Sequence, residues 1–185
     1  GDEAGLFGAE LVECYRLFAA KNHFQIEIRK TEPKDLSLVL EAEQHPENAM
    51  YVYQWSKEEH LSSLTNPNIR HDVIINKETQ SLVGYVILDD VLNSSSSINL
   101  RRIVITKKGA GIGKVTLELI KEIAFKELNA HRLWLDVFTD NEKAYQLYLK
   151  LGFKQEGLLR ESYLRNGRYA SQYIMAILAS EYLIL

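Results

Sequence analysis

Apolar positions recur along this chain in two rhythms, and the switches between them outline its elements. Residues 1–20 place Leu11, Tyr15 and Phe18 on one helical face between charged positions such as Glu10, Glu13 and Arg16. This predicts an amphipathic accessory helix over residues 1–22, ahead of a single domain over residues 23–185. Gln25 to Lys30 alternates as a half-buried strand, and Leu36, Val39 and Leu40 fall at helical spacing within Lys34 to Glu43, stopping before Pro46. Ser56 followed by Glu59 is a capping box opening a helix that runs to Leu64. Strands are expected at His71 to Asn76, Leu82 to Asp89 and Ile98 to Ile105, the first two joined by a turn at Lys77 to Gln80 and the last preceded by the serine-rich loop Asn93 to Ser97.

Helical spacing returns from Gly113 to Leu128, with Leu117, Ile120, Ala124 and Leu128 on one face, and the strand His131 to Phe138 follows. A strand, a crossover helix and a second strand of these lengths form a right-handed parallel unit. Asp140 or Asn141 caps a helix carrying Ala144, Leu147, Tyr148 and Leu151, which ends at Gly152. Two last strands flank Asn166-Gly167, the dipeptide of a type I′ hairpin turn. The predicted architecture is α/β, an α+β mixed sheet with a central parallel strand pair and helices on both faces.

Composition narrows the possible functions. A length of 185 residues suits one domain with a full core. The net charge of −3 is spread over interspersed acids and bases, without the basic stripe of a nucleic-acid binder. No apolar run approaches the ~20 residues of a membrane span, so no membrane partner is expected. The single cysteine, Cys14, excludes an intramolecular disulfide and fits a reducing, cytoplasmic setting. His23, His45, His60, His71 and His131 are scattered without ligand spacing, so no metal is expected.

The densest chemistry lies in Lys108-Gly109-Ala110-Gly111-Ile112-Gly113, between the apolar strand Ile103-Val104-Ile105 and an amphipathic helix. Such a loop directs several backbone N–H groups at one point, at the positive end of a helix dipole, and suits a phosphate. The alternative is a loop that only turns the chain. A Walker A loop fails, because Lys108 stands where its first glycine belongs and Val115 where a magnesium-binding Ser or Thr is needed. The dinucleotide fingerprint fails at its third glycine, which would be Lys114 or Thr116.

The chain resembles the GNAT superfamily of acetyl-CoA-dependent N-acetyltransferases. Its loop matches their Arg/Gln-x-x-Gly-x-Gly/Ala signature, with Lys108 in the first position. Asn141, Ala144, Tyr148, Gly152 and Phe153 match a second signature, Asn-x-x-Ala-x-x-x-Tyr-x-x-x-Gly-Phe, at every position. The tail Glu156 to Glu161, with Asn166 to Tyr169, further resembles the branch of ribosomal-protein N-terminal acetyltransferases. The resemblance implies transfer of an acetyl group from acetyl-CoA to a primary amine of a protein N-terminus or small molecule, by direct attack in a ternary complex. It implies a GNAT-like splay in the parallel strand pair, with the pyrophosphate on Gly109 to Lys114 and pantetheine pairing with Ile103, Val104 and Ile105. Val104 N–H is the candidate oxyanion donor. Lys108 supplies a cation, Asn141 hydrogen-bonds the pantetheine, and Ala144 completes the coenzyme contact.

Tyr148 stands where the family keeps its general acid; on spacing alone it also reads as a core tyrosine. Asp136, twelve residues earlier, stands at the offset of a catalytic glutamate in members of the branch. Asp136 as general base and water as proton relay both stay open. Two departures favour an alternative, a non-catalytic acyl-CoA sensor or scaffold: Asn99 where many members carry a glutamate, and Ser171 where the branch carries an aspartate. Tyr51, Tyr53 and Trp55 are candidates for an acceptor pocket or for core packing. Glu43, Glu47, Glu58 and Glu59 are expected near its mouth, suited to a cationic acceptor. A second copy of the chain is a further candidate partner, through the N-terminal helix or the last hairpin.

Overall fold

The computed structural model describes residues 26–183; the predicted N-terminal helix and Cys14 lie outside the described residues. Seven strands form one sheet, β1 (Ile26–Lys30), β2 (Ile69–Asn76), β3 (Leu82–Asp89), β4 (Ser97–Ile105), β5 (Arg132–Phe138), β6 (Lys154–Arg165) and β7 (Arg168–Leu178), in the order β1-β2-β3-β4-β5-β7-β6. Every neighbour pair is antiparallel except β4 and β5. That parallel pair is connected by α4 (Ile112–Glu122), which continues through a π-helical turn at Ile123–Glu127 rather than running as the regular helix to Leu128 that its spacing predicts. Before it come α1 (Leu36–Gln44), entered through a 3₁₀ turn at Pro33–Asp35, the short α2 (Pro46–Ala49) and α3 (Lys57–Leu64); after it come α5 (Glu142–Lys150) and α6 (Ala179–Tyr182).

Several local signals act as expected. Ser56 Oγ accepts the Glu59 N–H at 3.1 Å while the Glu59 carboxylate accepts the Ser56 N–H at 2.7 Å, closing the capping box of α3. Asn141, not Asp140, caps α5, accepting from Ala144 N–H. Asn166 and Gly167 carry φ of 51° and 75°, the two left-handed residues that a type I′ turn between β6 and β7 requires. Pro46 does not merely end α1; it starts α2, with its fixed φ at the first helical position.

Helices cover both faces of the sheet. On one, α4 and α5 bury Val115, Leu117, Leu119, Ile120 and Tyr148 against Leu100, Leu133, Leu135 and Val137. On the other, Leu36, Val39 and Ala42 of α1 pack against Val73, Ile75, Tyr85, Ile87 and Val104. No helix among the described residues is long and apolar enough to cross a membrane.

A polar chain runs through this second, smaller core. Glu43 is fully buried, not at a solvated mouth as its place on a charge-rich helix suggests. Its Oε2 accepts from Tyr85 hydroxyl at 2.5 Å, His60 Nε2 at 3.1 Å and Arg102 Nη1 at 3.3 Å, and its Oε1 accepts Trp55 N–H at 3.1 Å. Burial pushes its carboxyl up, but the His60 and Tyr85 hydrogen bonds and the charges beside it outweigh that and hold it below the usual range. His60 Nδ1 lies 3.0 Å from His71 Nε2, whose Nδ1 lies 2.7 Å from Thr31 Oγ1. One assignment of protons satisfies the whole chain: Thr31 donates to His71, His71 to His60, and His60 to Glu43. Desolvation lowers His71 to about 3, so its ring is neutral at ordinary pH, as this assignment requires.

Glu43→Ala should therefore destabilise the fold by about 3–5 kcal/mol, because it strands the Arg102 charge and leaves Tyr85 and His60 without their acceptor. A denaturant unfolding midpoint unchanged from the parent would contradict this.

Candidate active site

Strands β4 and β5 pair only over three positions, Ser97 with Arg132, Ile98 with Leu133 and Asn99 with Trp134. Asn99 closes the last rung, its Nδ2 donating to Trp134 carbonyl oxygen at 3.2 Å. Beyond it β4 stays with β3 while β5 stays with β7, so a gap opens through the sheet. Two features hold β4 to β3. Gly84 faces Ile105, and any side chain on Gly84 would collide with the Val104 carbonyl. A bulge follows the rung: Ile87 pairs with Arg102 and Leu88 with Leu100, so Arg101 is the unpaired extra residue that bends β4.

The gap continues into a cleft of about 1110 Å³. One end is lined by Lys107, Lys108, Gly109, Gly111, Gly113 and Lys114, together with Asn141 and Lys143. Gly109 and Gly111 take φ of 77° and 76°, and Gly111 is the N-cap of α4. Left-handed residues in a glycine turn at a helix N-terminus form a nest of N–H donors, and a side chain at Gly109 would meet only open space. Burial lowers the Lys108 ammonium below its usual range, and Lys143 adds repulsion against the pull of Glu47. Four lysines, Lys107, Lys108, Lys114 and Lys143, line this end of the cleft. Ala110 is the loop residue that does not line the cleft; it packs on the larger core instead.

Strand alternation decides which backbone groups face the gap. Thr106 N–H donates to Val83 carbonyl on β3, and the Val104 carbonyl lies against Gly84, so Val104 directs its peptide groups to β3. Ile103 and Ile105 consequently present theirs to the gap. The Val104 N–H, expected to face the gap as oxyanion donor, is turned to β3 instead, and the Val104 side chain is buried in the smaller core.

The same alternation sorts the two titratable candidates. Leu133, Leu135 and Val137 point into the larger core, so Asp136 projects on the α1–α3 face. Its carboxylate opens on the cleft and accepts from Gln172 Nε2 at 3.1 Å. Although accessible, it is recessed between protein walls, and desolvation holds its carboxyl above the usual range against the opposing Arg101 charge. Tyr148 lines the cleft from α5, on the opposite face of the sheet. Burial, with the Asp136 charge adding, pushes its phenol up to about 12.

Tyr51 and Tyr53 line the α1–α3 side of the cleft, and Glu47 lines it nearer the lysines. Glu58 is exposed and Glu59 is engaged in the α3 cap. Ser171, where the resemblance led one to look for aspartate, accepts Glu161 N–H at 2.9 Å in the β6 bulge and serves the hairpin. Among the described residues no group of His, Cys, Asp and Glu could hold a metal. Sequence reasoning passed over Arg101 and Arg102. Their guanidinium carbons lie 5.1 and 4.7 Å from the Trp55 ring centroid, and both residues line the cleft. Two adjacent charges inside the apolar strand Ile98 to Ile105 were the available signal.

The acetyltransferase (GNAT) domain family matches residues 25–154, and the chain belongs to it. It is an acetyl-CoA-dependent N-acetyltransferase. It is 28% identical to the spermidine N(1)-acetyltransferase of Vibrio cholerae over 86% of this chain and 96% of that protein. The crystal structure of the Vibrio cholerae spermidine N-acetyltransferase in complex with CoA and spermine superposes with a TM-score of 0.79 at 27% identity, covering 86% of this chain and 98% of that one. A Bacillus subtilis protein provisionally named as an acetyltransferase of a ribosomal-protein alanine is 27% identical over 77% of this chain and 90% of its own length.

Calorimetric titration with acetyl-CoA should give micromolar binding, with ATP and NAD silent. Gly111→Val forces a β-branched residue into the left-handed region, at about 1–3 kcal/mol. It should weaken that binding by about tenfold or more. Unchanged affinity would show that the loop does not hold the coenzyme.

Proposed function

We propose that the chain acetylates the primary amine of a small molecule by direct attack in a ternary complex, with Asp136 as base and Tyr148 as acid. The observation that carries this reading is the placement of the two groups on opposite faces of the sheet, at the gap between β4 and β5. The thioester comes along β4 from the glycine loop on the Tyr148 side, and the amine comes from the Asp136 side. The names of the Vibrio cholerae relatives support a small-molecule amine over a protein N-terminus.

Each group suits its step. An ammonium must lose a proton before it attacks, and a carboxylate with a raised pKa is a better acceptor than an ordinary aspartate. Gln172 fixes its orientation. The amine nitrogen bonds to the thioester carbon, and the resulting oxyanion meets the backbone N–H of Ile103 or Ile105, an interaction of about 3 kcal/mol where one such donor has been removed elsewhere. As the tetrahedral intermediate collapses, the C–S bond breaks and the thiolate takes the Tyr148 proton; the second proton of the attacking nitrogen then restores the phenol, and Asp136 releases the first to solvent. A phenol at about 12 stays protonated across the working range and so remains able to donate. The products are the N-acetyl amine and free coenzyme A. Lys108, Gly109, Gly111 and Lys114 hold the pyrophosphate and Asn141 the pantetheine, with Ala144 and Leu147 lining the pocket beside them.

Asp136→Asn should lower kcat by ~10²-fold or more and abolish the acid limb of the kcat/KM profile, since the rate of the parent rises as Asp136 deprotonates. Tyr148→Phe should cost a comparable factor in kcat while leaving acetyl-CoA binding within threefold. Free-thiol release against an amine panel reads both. A loss below threefold in either variant removes that residue from its role.

A further inference from the structure

Asp136 is held by a hydrogen bond whose donor is itself held. Gln172 lies opposite Phe138 and Asp136 opposite Ile174, so the two side chains are diagonal neighbours on one face of the sheet. Gln172 Nε2 donates to Asp136 Oδ1 at 3.1 Å, and Gln172 Oε1 accepts from Ser162 Oγ at 2.9 Å. Among the described residues Gln172 is the only protein donor to this carboxylate, which otherwise opens on the cleft.

The shape of β6 brings Ser162 to that amide. Leu159 pairs with Gln172 and the next rung joins Tyr163 to Ala170, so Arg160, Glu161 and Ser162 together stand against Ser171 alone. This wide bulge is pinned at Glu161, which takes a left-handed φ of 49° and whose N–H donates to Ser171 Oγ at 2.9 Å. Glutamate is uncommon in that region of backbone space, and such residues persist where the surroundings impose them, often beside a functional group. The group served here is Ser162. Ser171, which replaces the aspartate of the resembled branch, holds the bulge that turns Ser162 onto Gln172.

We infer that Ser162 is a positioning residue for the reaction: its hydroxyl locks the Gln172 amide with nitrogen, not oxygen, toward Asp136, and so favours the ionised carboxylate that the transfer uses. This rests on the reading of Asp136 as base and adds the residue that keeps the base ready. An amide turned over would set Oε1 against Asp136, which only a protonated carboxyl could satisfy by donating. Nε2 would then face Ser162 Oγ, and the hydroxyl proton would be left to the Leu159 carbonyl at 3.4 Å, a longer and weaker bond than the one it gives Gln172. The hydroxyl thus weights the amide toward one orientation, and that orientation weights Asp136 toward one charge state. The other charged or titratable groups facing Asp136 are Arg101 from β4, Tyr148 from α5 and Tyr163 from β6, and none of them hydrogen-bonds to Ser162 or Gln172.

The test is a carbon-13 NMR titration of the Asp136 carboxyl in the intact protein, its resonance identified by its loss in Asp136→Asn. Removing a donor to a carboxylate disfavours the charged form, so Gln172→Leu and Ser162→Ala should each move the Asp136 midpoint up by about half a pH unit or more. Ser162→Thr keeps the hydroxyl and should restore the parent midpoint. A midpoint unmoved in Gln172→Leu or in Ser162→Ala, or one displaced as far in Ser162→Thr as in Ser162→Ala, overturns the inference. Ser162 is exposed, so its two variants decide alone if Gln172→Leu does not fold. The acid limb of kcat/KM, followed with a single amine so that the amine's own ionisation is common to all variants, should move up with the midpoint. A limb that stays in place while the midpoint moves takes the role of base from Asp136 and leaves the Ser162 lock supported.

Discussion

The parting of β4 from β5 after Asn99 is the constraint on which the rest of this molecule depends. A sheet that stayed paired there would satisfy its own backbone and leave no entry. Three rungs of parallel pairing, then a bulge at Arg101 and a close approach at Gly84, commit β4 to β3 and turn the peptide groups of Ile103 and Ile105 into empty space. An extended ligand arm with amide groups of its own is the natural partner for such a half-strand. The same gap gives the site two doors. The glycine nest and Tyr148 lie on the α4–α5 face, and Asp136, Tyr51 and Tyr53 on the α1–α3 face.

The two cores serve the two halves differently. The larger, apolar core fixes α4 and α5 on the sheet, and through them the loop glycines and the Tyr148 phenol. The smaller core carries the chain Thr31–His71–His60–Glu43, which ends at Arg102. Burying that many polar groups is favourable only if each is paired, and here each hydrogen bond leads to the next. What the chain secures is the position of one guanidinium at the cleft wall, which apolar packing would have left to rotate. The bulge that opens the gap also brings Arg101 beside it, at the cleft wall.

Much of this was legible in the residues. The glycines Gly109, Gly111 and Gly167 marked the loop before α4 and the last turn, where the backbone is left-handed. Caps at Ser56 and Asn141 set helix starts to within a residue or two. The Asn141-to-Phe153 signature placed Tyr148 on the cleft although spacing alone read it as core. What stayed hidden has a common cause, interactions between residues far apart in sequence. Glu43 read as a solvated helix charge because its partners lie 17, 42 and 59 positions away. The bulge at Arg101 shifts the register by a residue and has no compositional trace. That shift in pairing is also why Val104, central in the apolar strand, was taken for a gap-facing residue when its peptide groups belong to β3.

Amide hydrogen exchange, with and without coenzyme A, tests the central claim most directly. If the coenzyme arm completes the parted sheet, the N–H groups of Ile103 and Ile105 should slow sharply on binding, together with Gly109 to Lys114, while Val104, already paired to β3, should change little. Protection confined to the glycine loop, with Ile103 and Ile105 exchanging as before, would mean that the gap is not the coenzyme's path, and the account of the site built on it would fail.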